Sequence, residues 1–136
     1  MTLVIDASTV AAALVENSAR GSWALNLLGG GGLVAPHLMP AECANVLRRA
    51  ELNGNISRDV ALLAHADLAS LPVELYPYAP FAKRIIALRS AVTTYDGWYV
   101  ALAEAIGAPL ATCDRRLARA HGLRCEVFSP PEDEPR

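Results

Sequence analysis

The chain has 136 residues, the length of one ordinary domain with its own core, and 53% of them are hydrophobic, which excludes disorder along most of the sequence. No apolar run approaches the ~18 residues of a membrane span, and Met1 leads straight into a strand-like segment without a basic leader, so the expected location is the cytoplasm. A net charge of −2 argues against broad adhesion to polyanions, and Cys43, Cys113 and Cys125, far apart and without a C-x-x-C pair, exclude a zinc ribbon and fit reduced thiols.

Thr2-Leu-Val-Ile-Asp6 is a short apolar run ending at an acid and predicts a buried strand. Ser8 and Thr9 are candidate caps for a helix over 10–16, and a second helix fits Ser22–Leu28 around Trp23 and Leu27. Gly29–Gly32 breaks the chain before a strand at Leu33-Val-Ala35, stopped by Pro36. A helical pattern runs from Leu38 to Leu52 with Pro40 in its first turn, and Ser57 caps another to Leu71. Val73–Tyr76 alternates like a strand, Pro80 opens a helix to Ala91, and Tyr95–Ile106 is a helix closed by Gly107. Pro109–Cys113 predicts a strand, Arg115–His121 a helix closed by Gly122, and Cys125–Phe128 a final strand. The expected domain spans 1–129, followed by a polar, proline-rich tail over 130–136 that is expected to fray.

Strands alternating with helices predict an α/β fold: a parallel β-sheet sandwiched by helices in a Rossmann-like three-layer arrangement. In such a sheet ligands bind beyond the carboxyl ends of the strands. Asp6 and Asp114 each follow a predicted strand, Asp96 stands where a helix begins, and Glu42 lies one turn into another, sharing its face with Asn45, Val46 and Arg49. Each acid has a plainer use taken singly: Asp6 and Asp96 as helix caps, Asp114 in a turn, Glu42 on a surface. Helix caps do not explain Glu42, and the joint placement points to one carboxylate cluster. Two such charges ~4 Å apart repel by about 4 kcal/mol at an effective dielectric of ~20, so four need protons or a divalent cation. Oxygen-only ligands select Mg²⁺ or Mn²⁺ over zinc.

Of the 12 basic residues only Lys83 is a lysine, and the arginines cluster as Arg48–Arg49 and Arg115–Arg116–Arg119. Guanidinium groups bind phosphate bidentately, so Arg49, Arg115 and Arg116 are candidates for gripping a nucleic-acid backbone. Rival chemistries lack their residues. The glycine run has no G-x-G-x-x-G spacing and precedes a strand, and no P-loop motif occurs. A haloacid-dehalogenase-type site needs an acid two residues after the first Asp, where Ser8 stands, and a receiver domain needs an acidic pair and a suitably placed lysine. His37, His65 and His121 are scattered and pair with no evident nucleophile.

Four segments in this order resemble the PIN-domain ribonucleases, and among them the VapC-type toxins of bacterial toxin–antitoxin pairs: Val-Ile-Asp6-Ala-Ser8; Pro40-Ala-Glu42-Cys-Ala-Asn45-Val-Leu-Arg-Arg49; Thr93-Thr-Tyr95-Asp96-Gly-Trp-Tyr99-Val-Ala-Leu-Ala103-Glu; and Ala108-Pro-Leu-Ala-Thr112-Cys-Asp114-Arg-Arg-Leu117. The resemblance spans essentially the whole chain. It implies a sequence-selective endoribonuclease dependent on Mg²⁺ or Mn²⁺, with Asp6, Glu42, Asp96 and Asp114 as the four catalytic, metal-holding acids. It implies supporting roles for Ser8, Thr93 and Thr112 near that site and for Asn45 beside the glutamate. Gly97 departs from the family's usual alanine. A cognate VapB-type antitoxin and a homodimer are implied as well, with Trp23 and Leu27 expected in a groove that receives an apolar antitoxin segment. The second reading is a PIN-like RNA- or protein-binding module without catalysis.

Overall fold

The structure, a computed structural model, describes residues 1–132, so the tail expectation lies outside the described residues from 133 onward. Its strands are β1 (Leu3–Ile5), β2 (Leu33–Pro36), β3 (Glu74–Tyr76), β4 (Leu110–Ala111) and β5 (Val127–Phe128), and its helices are α1 (Ala7–Val15), α2 (Ala19–Gly29), α3 (Met39–Leu52), α4 (Arg58–Ser70), α5 (Ala82–Ala87), α6 (Thr94–Ile106) and α7 (Arg115–Ala118). The strands form one sheet in the order β3-β2-β1-β4-β5. All pairs are parallel, with Val4 opposite both Val34 and Leu110. The α/β sandwich expected from the alternation is what forms.

The three middle strands carry no polar side chain, as a parallel sheet covered on both faces requires. Val4, Ile5, Ala35 and Leu110 are fully buried and join Val10, Met39, Leu47, Val100 and Leu102 in one core. Chain direction then sets the layers. Going from β1 to β2 to β3, the connections move one way across the sheet and place α1 to α4 together, where α1 packs on α2, α3 and α4. From β3 the chain crosses back over the sheet through α5 and α6, and α6 packs on β1, β2 and β4. β1 therefore lies between a neighbour reached by one crossover sense and a neighbour reached by the other, and a cleft opens beyond the ends of β1 and β4.

Several boundaries differ from the sequence expectation for identifiable reasons. α1 begins at Ala7 because Asp6, not Ser8 or Thr9, is its cap, accepting from the Thr9 N–H at 3.0 Å. α2 starts at Ala19, three residues before the expected Ser22, because Ser18 caps it through the Gly21 N–H. The turn between the two helices is tight enough that a Cβ at Gly21 would lie 2.0 Å from the Glu16 carbonyl oxygen. The helix expected from Pro80 to Ala91 divides into a single 3₁₀ turn, Ala79–Phe81, and the shorter α5, after which Arg89 and Ala91 bond three residues back to Ile86 and Leu88. α7, β4 and β5 are likewise shorter than expected, whereas the Ser57 cap and the left-handed Gly107 that ends α6 (φ 66°) stand where the sequence put them. No helix among the described residues is long and apolar enough to cross a membrane.

Candidate active site

The four predicted acids come from four different elements and share one device. Asp6 is the N-cap of α1, Glu42 lies in the first turn of α3, Asp96 in the first turn of α6, and Asp114 is the N-cap of α7. Helix N-termini carry positive partial charge and unpaired N–H groups, so each acid sits where a negative charge is best tolerated. Capping and clustering are therefore not alternatives for Asp6 and Asp114. Asp96 is no cap: Thr93 takes that role, its Oγ1 accepting from the Asp96 N–H at 3.2 Å.

All four line a single cleft of about 350 Å³, together with Ser8, Asn45, Arg49 and Tyr99. At its floor, Asp6 is only 6% exposed. Its Oδ1 accepts from Ser8 Oγ at 2.7 Å, Thr9 N at 3.0 Å and Thr9 Oγ1 at 2.9 Å, and its Oδ2 from Thr112 Oγ1 at 2.5 Å. Two of these hydroxyls tie β1 to the segment after β4. Thr112 Oγ1 also accepts from the Asp114 N–H at 3.0 Å, and Ser8 Oγ from the Cys113 N–H at 3.1 Å. The serine and threonine expected near the site are thus the groups that lock Asp6 and Asp114 in register, and Thr93 fixes the start of the helix bearing Asp96.

Burial raises the Asp6 carboxyl above its ordinary range despite these hydrogen bonds, which pull it down. Glu42 is raised by burial and by the nearby charges of Asp96 and Asp6, against the hydrogen bond it receives from Tyr99. Asp96 is raised by burial and by Asp114 and Asp6, with Thr93 and Arg116 opposing. Among the described residues no salt bridge reaches Asp6, Glu42 or Asp96; Asp114 has Arg116 Nε at 3.8 Å. The donor set is all oxygen, and its charge is only partly balanced by Arg116, which fits a hard divalent ion. The acids do not converge on one point, however: no group of three or more His, Cys, Asp or Glu among the described residues is arranged to hold a metal. Hydroxyl groups engage both oxygens of Asp6 and one of Glu42.

Other predicted residues separate. Arg49 lines the carboxylate cleft, and Arg116 lines a smaller hollow with Thr93, Asp96 and Asp114. Arg115 instead faces Glu132 at 3.8 Å beside Arg119 and lines neither. Asn45 is exposed at the cleft wall and makes no bond to Glu42 among the described residues; Tyr99 makes that bond instead. Trp23 and Leu27 are half-buried against the core and line neither the cleft nor the apolar groove beside it. That groove, about 380 Å³, runs between α1 and α3, is walled by Ala11, Ala12, Val15, Val46, Ala50 and Ile56, and shares Ser8, Val46 and Asp114 with the cleft. Cys43 is fully buried with its thiol pushed up to about 12 by burial, and Cys113 faces the groove, outside the carboxylate cleft. Glu104 is tied to Arg84, Nε to Oε1 at 2.6 Å, and to the Arg124 N–H at 2.8 Å. Its burial is outweighed by those bonds, which lower its carboxyl.

Two contributors escaped the sequence reading. Thr9 is fully buried and spans from Asp6 to the Ala111 carbonyl, at 3.2 Å. Tyr99 is one helical turn beyond Asp96, a spacing that signals a shared face.

Known proteins share both the sequence and the fold of this chain. The PIN domain family matches residues 3–123. The chain is 43% identical over 128 residues to Ribonuclease VapC1 of Mycobacterium tuberculosis, covering 91% of this chain and 94% of that protein. It is 39% identical over 125 residues to Ribonuclease VapC12 of the same species, covering 92% and 96%. The crystal structure of PAE2754 from Pyrobaculum aerophilum superposes with a TM-score of 0.70 at 20% identity, covering 93% of this chain and 83% of that one. With a match over nearly its whole length and relatives above the level at which family is in doubt, this chain belongs to the PIN-domain family, alongside the VapC ribonucleases.

Proposed function

We propose that the chain is an endoribonuclease dependent on Mg²⁺ or Mn²⁺ and acts as the toxin of a toxin–antitoxin pair. The observation that carries this reading is the single cleft onto which Asp6, Glu42, Asp96 and Asp114 open; among the described residues no salt bridge reaches the first three, and Asp114 alone has one, to Arg116. In this reading Asp6 and Asp96 are direct ligands, and Glu42 and Asp114 bind directly or through water. The ion supplies Lewis acidity toward a phosphodiester oxygen and eases deprotonation of the attacking water. Ser8 and Thr112 hold Asp6 against the repulsion of its neighbours, and Arg49 and Arg116, at the cleft wall and rim, grip flanking RNA phosphates.

The partner in this reading is a VapB-type antitoxin whose apolar segment seats in the groove between α1 and α3. That groove is continuous with the cleft, so a basic residue from the same segment reaches the acids and competes with the cation. Trp23 and Leu27 offer such a partner only their half-exposed edges.

Cleavage of a mixed RNA substrate with Mg²⁺ or Mn²⁺, and with EDTA, tests the proposal beside Asp96→Asn. The expected result is cleavage by wild type with either ion, loss of cleavage in EDTA, and a loss of at least ~100-fold in the variant with its fold intact. Cleavage by Asp96→Asn at the wild-type rate overturns the assignment, and no cleavage by wild type with either ion favours the non-catalytic binding module.

A further inference from the structure

Glu42 is the odd member of the four acids. Asp6 and Asp114 are short side chains held by backbone and hydroxyl donors at strand ends, and Asp96 follows directly on a capped helix start. Glu42 has one more rotatable bond, and its immediate electrostatic neighbours, Asp96 and Asp6, repel it. Nothing cationic holds it: among the described residues no salt bridge reaches it. Left to itself such a side chain swings toward water, where the repulsion is screened and its rotamer entropy is kept.

One group opposes that. The Tyr99 hydroxyl donates to Glu42 Oε1 at 2.9 Å, across 57 residues of sequence. Tyr99 is 2% exposed and its ring belongs to the main core, so the hydroxyl is placed by packing rather than by the bond itself. It stands at the cleft floor, one turn along α6 from Asp96. Among the described residues only Oε1 is engaged, which leaves Oε2 of Glu42 for the cleft.

We propose that Tyr99 is a positioning residue that presents Glu42 to the divalent cation, so that α6 supplies one acid directly and sets the reach of a second. The proposal rests on the carboxylate–metal reading above. Removing a hydrogen bond of this kind to a metal ligand typically weakens metal binding by about 10–100-fold. In this role Tyr99 acts through Glu42, and its contribution is the preorganisation of that ligand.

The test is calorimetric titration of Mn²⁺ into wild type and Tyr99→Phe, which keeps the ring and its packing and deletes one oxygen. The expected result is Mn²⁺ binding weakened by about tenfold or more, with thermal stability in EDTA within a few degrees of wild type. Cleavage should fall at low Mn²⁺ and recover most of its rate when Mn²⁺ is raised to saturation, a rescue that a general loss of structure does not permit. In a Glu42→Ala background the further change Tyr99→Phe should leave the calorimetric Mn²⁺ affinity unaltered. Should Tyr99→Phe fail to fold, Tyr99→Met carries the test, since it also deletes the hydroxyl while a flexible apolar side chain refills the core, and the same weakening is expected. Wild-type affinity in Tyr99→Phe, or an equal loss on adding it to Glu42→Ala, overturns the inference while leaving the metal site in place. A wild type that binds no Mn²⁺ overturns both.

Discussion

Replacing Asp6 by asparagine probes the electrostatics of the cleft at its most buried point, because the two side chains are isosteric. Asp6 receives three hydrogen bonds at Oδ1 and one at Oδ2. An amide in the same rotamer keeps the first three at its oxygen. The fourth must reverse, with Nδ2 donating to Thr112 Oγ1, which already accepts from the Asp114 N–H. Losing the charge weakens the retained bonds by roughly 1 kcal/mol each at most. Against this, the change deletes a buried charge whose effective desolvation penalty is several kcal/mol, along with its repulsion toward Glu42 and Asp96. The raised Asp6 carboxyl shows which side prevails, since burial wins over four hydrogen bonds. Without metal at about pH 8, Asp6→Asn should therefore be more stable than wild type by about 1–2 kcal/mol, roughly 4–8 °C in Tm for a chain of this size.

The pH dependence follows with a definite sign. A carboxyl whose folded value is raised favours the fold in its protonated form. Its contribution is complete below the ordinary value of 3.8 and is lost as the pH rises through the folded value. Glu42 and Asp96 are raised as well and add in the same direction. Wild type in EDTA should accordingly lose stability relative to Asp6→Asn as the pH rises above the ordinary value of 3.8, and the advantage of the variant should shrink at the acid end. Saturating Mn²⁺ should invert the order at pH 8 by stabilising wild type. Circular-dichroism melts as a function of pH, with EDTA or Mn²⁺, measure both effects. A variant less stable than wild type at pH 8 in EDTA would mean that the hydrogen bonds, not burial and repulsion, govern Asp6.

Glu104→Gln should cost about 1–2 kcal/mol at neutral pH, because its carboxyl is lowered by Arg84 and the Arg124 N–H, and the loss should fade as acid protonates the wild-type group; melts at two pH values read it, and the metal-saturated cleavage rate should not change. The double variant Cys43→Ala, Cys113→Ala should retain metal-dependent cleavage, since Cys43 is a fully buried protonated thiol and Cys113 faces the apolar groove, with about 1 kcal/mol of stability lost at Cys43 by urea titration. Gly97→Ala should raise the urea midpoint by the equivalent of about 1 kcal/mol, because the added Cβ meets Ile85 Cγ2 at 3.4 Å and Val92 Cγ2 at 3.7 Å, ordinary packing distances, inside a helix where glycine is unfavourable.

The sheet was legible because its strands are read by composition alone. Leu3-Val-Ile5, Leu33–Pro36 and Leu110–Ala111 are apolar runs flanked by punctuation, and that pattern survives any tertiary arrangement. Helix starts were less legible, because several side chains compete for each capping position. Asp6, Ser8 and Thr9 all suit a cap, and the winner is decided by β1, whose ladder ends with the Asp6 N–H bonded to the Ala111 carbonyl at 3.2 Å. The helix from Pro80 failed for another reason. Its periodicity continues past Ala87, but the backbone there is already committed to tighter turns, with the Arg89 and Ala91 N–H groups bonded three residues back.

The four acids were proposed by a local rule, a carboxylate at a strand end or a helix start, and they line one cleft because the topology makes that rule global. With β1 and β4 adjacent, the residues after them must meet, and α3 and α6 must begin at the same edge of the sheet. What no local rule reaches is how such a cluster is held. Asn45, one turn from Glu42, was expected from the family resemblance to support the glutamate, yet it is exposed and the bond comes from Tyr99 on another helix. Thr9 looks like a cap and instead bridges Asp6 to the Ala111 carbonyl at 3.2 Å, across 102 residues of sequence. A repelling charge needs a donor that cannot move away, and immobility comes from burial in the core rather than from closeness along the chain. Such holders therefore come from the most apolar stretches of sequence, Thr9 within Ser-Thr-Val-Ala-Ala-Ala and Tyr99 within Trp-Tyr-Val-Ala-Leu-Ala, where periodicity marks them only as core.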